Sequence, residues 1–136
     1  MILVDSNILF DLIDRDPVWE AWSASQITRL SLVYELFVNP IVYAEISPRY
    51  ASVRDVDRVL ADAGLNWIAL PKEASFLAGK AHYQYRRSGG TRTGVLSDFF
   101  IGAHAAVLGA AILTRDARRY SAYFPMVRLI VPKTAP

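Results

Sequence analysis

Four acids stand where the sequence can assemble carboxylate chemistry: Asp5, Glu45, Asp98 and Asp116. Asp5 follows the aliphatic run Ile2-Leu3-Val4, and Asp116 follows Ala111-Ile112-Leu113 by way of Thr114-Arg115. Asp98 opens an apolar stretch from Phe99 to Leu108, and Glu45 lies one to two helical turns beyond Asn39-Pro40. Unit charges about 4 Å apart repel by roughly 4 kcal/mol at an effective dielectric near 20, so a converged set needs positive charge among its members. The chain has no cysteine and only two histidines, His82 and His104, without metal-ligand spacing. The consistent partner is therefore a hard cation held by oxygen, Mg2+ or Mn2+. Such an ion activates water for attack on a phosphodiester. No Ser-His-Asp pattern calls for a covalent intermediate.

Taken singly, each acid has a plainer reading, as a helix cap or first-turn residue for Asp5, Asp98 and Asp116 and as a surface side chain for Glu45. Their joint placement is what points to a site. Ser6 and Asn7 are read as orienting Asp5 by hydrogen bonding, and Thr114 as supporting the cluster from behind. Arg115 and Arg92 are candidate contacts for substrate phosphate. Asp11, Asp14, Asp16, Asp55, Asp57 and Asp62 are read as solvated. His104 falls about 240° around the helix from Asp98, pointing away from the site as a satisfied core or surface histidine.

The elements that must position these residues are legible from periodicity and caps. Ile2 to Val4 reads as a strand, followed by a helix through Ile13. A second helix is predicted to start with Pro17 at its first position and to carry Trp19 and Trp22 into the core. Leu36 to Val38 reads as a strand, with Asn39 as N-cap and Pro40 at N1 of the helix bearing Glu45, which Pro48 ends. Ser52 to Ala63 is a polar amphipathic helix closed by Gly64, Asn66 to Leu70 a short strand, and Glu73 to Arg87 a long helix. Residues 88 to 94, Ser-Gly-Gly-Thr-Arg-Thr-Gly, are predicted to form a mobile surface loop. Ser97 is the expected N-cap of the helix carrying Asp98, with Leu96 and Ile101 as a hydrophobic staple. Gly109 ends that helix, and strands follow at Ala111 to Leu113 and Val127 to Val131. Uniformly apolar strands alternating with helices predict an α/β fold: a central, mostly parallel sheet of four to five strands flanked by helices in three layers. The ligand site of such a sheet lies outside the carboxyl ends of its strands.

Composition narrows the rest. With 136 residues, 53% of them hydrophobic, the chain is expected to form one domain over 1–136. No apolar run reaches the roughly 18 residues of a membrane span, and the reading is a cytoplasmic protein. The net charge of +2 hides an asymmetry: residues 1 to 68 hold five Lys/Arg against ten Asp/Glu, and residues 69 to 136 hold ten against three. A basic second half, including Arg86, Arg87, Arg92, Arg118, Arg119 and Arg128, suits a polyanion such as RNA.

The ordered set Ile2-Leu3-Val4-Asp5-Ser6-Asn7, Asn39-Pro40-Ile41-Val42-Tyr43-Ala44-Glu45, Leu96-Ser97-Asp98 and Leu113-Thr114-Arg115-Asp116 resembles the PIN-domain ribonucleases over essentially the whole chain. Within them it looks most like the VapC toxins of bacterial type II toxin-antitoxin systems. The resemblance implies Mg2+ or Mn2+ around Asp5, Glu45, Asp98 and Asp116, endonucleolytic cleavage of RNA, a small antitoxin that blocks the site, and a homodimer. A housekeeping PIN nuclease of RNA maturation or decay is the alternative. A phosphoacceptor regulatory domain fits less well, because Ser6-Asn7 stands where it needs a second acid and no lysine follows the late strand.

Overall fold

The computed structural model describes residues 1–134. Five short strands form one sheet: β1 (Ile2–Val4), β2 (Leu36–Val38), β3 (Leu65–Trp67), β4 (Ala111–Leu113) and β5 (Leu129–Ile130). Their order is β3-β2-β1-β4-β5, and every pairing is parallel. β1, β2 and β4 are buried at every position, which is why they carry no polar alternation.

Among the described residues seven α-helices connect the strands, with a 3-10 turn (Ser47–Arg49) after the third: α1 (Ser6–Ile13), α2 (Glu20–Ser31), α3 (Pro40–Ile46), α4 (Val53–Asp62), α5 (Lys72–Arg87), α6 (Leu96–Leu108) and α7 (Arg118–Ser121). The chain steps outward from β1 to β2 to β3, then returns past β1 to β4 and on to β5. Crossovers between parallel strands are right-handed as a rule, and with this strand order that rule assigns α1 to α4 to one face of the sheet and α5 to α7 to the other. The direction of winding reverses between β1 and β4, the place at which parallel sheets bind ligands outside the carboxyl ends of their strands.

Most predicted boundaries hold, because the caps are real. Asn39 Oδ1 accepts a hydrogen bond from Val42 N at 3.0 Å with Pro40 at the first helical position. Ser52 caps α4 through Asp55 N, and Gly109 closes α6 with φ 66°, in the left-handed region. The structure also corrects several expectations. α2 starts at Glu20, not Pro17, because Asp16 Oδ1 accepts from Val18 N and Trp19 N and holds that segment in a turn. Trp19 and Trp22 are half-buried and packed edge to face at 5.8 Å; Trp22 packs against the core, as expected, while Trp19 lies outside it. α6 begins at Leu96, with Val95 at the cap position and no side-chain cap bond, so Ser97 is inside the helix. Leu96 is exposed and forms no staple. β3 and β5 are shorter than predicted, ending at Trp67 and spanning only Leu129–Ile130.

The loop 88–94 lies at the surface, as expected, and touches Tyr85. Arg92 N donates to the Tyr85 hydroxyl at 3.0 Å, and a Cβ on Gly90 would fall 2.5 Å from the Tyr85 ring, so only glycine allows this approach. His104 does point away from the acids, as expected. It is fully buried against Phe37, with Nδ1 3.1 Å from Asn39 Nδ2, while its Nε2 has no partner. Burial holds its pKa below the usual histidine value, so the ring is neutral.

Candidate active site

Asp5 sits at the end of β1 because the strand leaves the sheet there and α1 begins. It is the N-cap of α1, fully buried, and its Oδ1 accepts from Ser6 N at 2.7 Å. Its Oδ2 accepts from the Thr114 hydroxyl at 2.8 Å and the Tyr120 hydroxyl at 2.7 Å. A buried carboxylate is tolerated only with such donors. Thr114, directly after β4, relays the arrangement: its hydroxyl oxygen accepts from Asn7 Nδ2 at 3.2 Å and from Asp116 N at 3.1 Å. Asn7 therefore acts on Asp5 through Thr114, not directly, and its Oδ1 accepts from Arg115 N.

Asp116 continues from β4 and caps the turn into α7, its Oδ1 accepting from Arg118 N at 3.1 Å. Asp98 lies in the first turn of α6. Burial raises its carboxyl to a pKa of about 6; Arg119 opposes the rise and the Asp5 charge adds to it. Glu45 approaches from α3. Burial raises its pKa too, with the Asp5 charge second, and its Oε1 is buried without a hydrogen-bond partner.

The four acids thus come to one edge of the sheet from β1, β4, α3 and α6. The cation among them is Arg119 on α7. Its Nη1 lies 3.9 Å from Asp5 Oδ2 and 3.8 Å from Asp98 Oδ1, and its Nε lies 3.5 Å from Asp116 Oδ2. Among the described residues, no three acidic or imidazole groups stand close enough to hold an ion together as the side chains lie. The donor chemistry nevertheless fits a hard divalent cation: oxygen ligands only, one carboxylate oxygen orphaned in the interior, and acids whose charged forms are disfavoured by burial.

Two arginines read from sequence as phosphate contacts separate. Arg115 is bound to Asp11 by a bidentate pair, Nε to Oδ2 at 2.9 Å and Nη2 to Oδ1 at 3.0 Å, and lies over the Trp19 ring. Asp11 is not solvated: it is buried and also accepts from Ser23 Oγ. Asp14 and Asp16 are engaged as well, with Arg49 and with the turn before α2. Arg92 is exposed on its loop, near enough for its charge to act on Asp98. The residues that sequence reasoning did not place in the site are Arg119 and Tyr120. Arg119 had a signal as the i+3 position after Asp116, while Tyr120 had none in local pattern, because its partner Asp5 is 115 positions away.

A parallel α/β sheet with carboxylates gathered at its carboxyl edge is a frame suited to phosphate chemistry. A family model of the PIN domain matches residues 2–125, and the chain belongs to that family of nucleases. No curated protein sequence matches it. Solved structures share the fold. The VapBC2 complex of Rickettsia felis, bound to a DNA fragment from its promoter, has TM-score 0.75 at 18% identity, over 98% of this chain and 100% of that one. VapBC-1 of nontypeable Haemophilus influenzae gives 0.69 at 20%, over 96% and 98%. A toxin-antitoxin complex from Klebsiella pneumoniae gives 0.65 at 20%, over 97% and 98%.

Proposed function

We propose that this chain is a Mg2+- or Mn2+-dependent endoribonuclease that acts in the cytoplasm as the toxin of a toxin-antitoxin pair. The observation that carries the reading is the meeting of Asp5, Asp98 and Asp116 around one cationic group at the carboxyl ends of β1 and β4. Asp5, Asp98, Asp116 and Glu45 are the groups that hold the ion, which when bound supplies an activated water and charge stabilisation at the phosphodiester. The chain's own residues do the positioning. Ser6, Thr114 and Tyr120 fix the Asp5 carboxylate, Asn7 fixes Thr114, and Arg92 on its loop attracts the RNA backbone. Arg115 acts by holding Asp11 and the start of α2.

The toxin role is supported by the folds of the VapBC and toxin-antitoxin chains. An apolar groove of about 880 Å³ supports it too, lined by Tyr43, Val53, Leu60, Leu65 and the exposed Trp67. It lies along α3, α4 and β3, with none of the four acids in its lining, and suits an amphipathic segment of an antitoxin. The reading includes a homodimer. No helix of the described residues is long and apolar enough to cross a membrane.

The test is cleavage of a single-stranded RNA by the purified chain with Mg2+ or Mn2+. Asp98→Asn is expected to abolish cleavage and growth inhibition with the fold intact. Full cleavage by that variant, or by wild type in excess EDTA, overturns the mechanism. RNA cleavage without growth inhibition, and without a short reading frame upstream of the gene, favours an RNA-processing nuclease instead.

A further inference from the structure

Two guanidinium groups face buried acids at this end of the sheet, and they are held differently. Arg115 meets Asp11 in a bidentate pair at 2.9 and 3.0 Å. Arg119 has three acids around it, yet its contacts with Asp5, Asp98 and Asp116 run from 3.5 to 3.9 Å. It balances their charge from the middle without being locked onto one of them. Its side chain is 33% exposed, and it stands on a helix of only four residues whose neighbouring Arg118 is almost wholly in solvent. A long side chain in that position reaches water by rotating its own torsions, with no change in the sheet.

The charge balance requires an occupant. Asp5 is fixed by Ser6 N, Thr114 and Tyr120, and Glu45 Oε1 is buried without a donor, its carboxyl near enough to feel the charges of Asp5, Asp98 and Arg119. An ion entering among these oxygens and the guanidinium already there compete for the same carboxylate charge. We propose that Arg119 is a resident counter-cation: it neutralises Asp5, Asp98 and Asp116 while no divalent ion is bound and swings to solvent when one enters. Ion affinity is then set by competition inside the chain. The swing also delivers a guanidinium to the rim of the site beside Arg92, where a substrate phosphate arrives. The inference rests on the reading that these acids take a divalent cation.

Mn2+ binding to the purified chain, followed by titration calorimetry, tests both and separates them. Arg119→Gln removes the charge and keeps much of the length. It is expected to bind Mn2+ about tenfold more tightly than wild type, while Arg119→Lys stays near wild type. A parallel measurement needs no variant: the rate at which phenylglyoxal modifies Arg119 in the wild-type chain, mapped by peptide mass, is expected to rise when Mn2+ saturates the site. Unchanged or weaker binding by Arg119→Gln, or labelling that stays level or falls with Mn2+, overturns the counter-cation while leaving the metal site standing. Absence of Mn2+ binding by wild type and Arg119→Gln alike overturns both.

Discussion

The Tyr120 hydroxyl donates to Asp5 Oδ2 at 2.7 Å, joining the first strand to the last helix across 115 positions with both side chains fully buried. Burial, with the Asp5 charge second, raises the Tyr120 pKa well above its usual value, so the phenol stays a donor throughout the working pH range. Tyr120→Phe removes one of the donors to a buried carboxylate. The expected loss is about 1.5–3 kcal/mol of stability, read as a lower denaturant midpoint, together with slower RNA cleavage. A phenylalanine variant as stable as wild type would show that Thr114 and Ser6 suffice to hold Asp5.

Gly102, one turn beyond Asp98 on α6, packs under Phe124. A Cβ there would fall 2.3 Å from the ring, so Gly102→Ala must push α6 or Phe124 aside. Overpacking of this kind costs about 1–3 kcal/mol, and here the shift also carries Asp98 out of line. Thermal unfolding should show the loss, and Phe124→Leu in the same chain should recover part of it. If the double variant is no better than Gly102→Ala alone, the clash is not the cause.

Arg115 and Arg92 should part company on mutation. Arg115→Met leaves Asp11 buried and unpaired, an expected loss of about 3–5 kcal/mol. Arg115→Met with Asp11→Asn should lose less. Arg92→Ala should leave the melting temperature near wild type and weaken RNA binding, most clearly at low salt, where phosphate contacts matter most. Weakened RNA binding by a folded Arg115→Met chain, with Arg92→Ala binding normally, would reverse the assignment.

The pH dependence of the metal-free chain follows from Asp98. Burial raises its folded pKa from 3.8 to about 6, so the folded state binds a proton more readily than the unfolded state. Its contribution to stability is therefore fully present below 3.8 and is lost as pH rises through about 6. Glu45, raised for the same reason, acts in the same direction. Asp14 and Asp16, whose pKa values are lowered by Arg49 and by the backbone donors of Trp19 and Val18, act in the opposite direction and only at lower pH. The melting temperature in EDTA should rise from pH 7 to pH 5, and Asp98→Asn should flatten that rise. Mn2+ binding should weaken over the same interval, because protons compete for the same oxygens. A wild-type profile that is flat, or that falls toward pH 5, would contradict the raised Asp98.

What the sequence determined by itself is whatever depends on neighbours along the chain. The apolar runs at Ile2 to Val4, Leu36 to Val38 and Ala111 to Leu113 dictate buried parallel strands. Asn39-Pro40 dictates a helix start, and acids directly after strands fall at the sheet edge where ligands bind. Asp5 and Asp116 were legible as candidates for that reason, Asp98 as the opening of a buried helix, and Glu45 chiefly through the family resemblance. What tertiary structure alone decided is which charges meet. Asp11 carries the same local signature as Asp55 or Asp57, yet it is buried because α1 packs on α2 and Arg115 arrives from 104 positions away. Arg115 and Arg119 are indistinguishable as basic residues after β4. The turn from β4 into α7 sends Arg115 to Asp11 and Arg119 in among Asp5, Asp98 and Asp116. Local pattern carries periodicity and capping, but charge pairing in a buried site depends on separations of a few ångströms between distant segments, and those exist only after the sheet has closed.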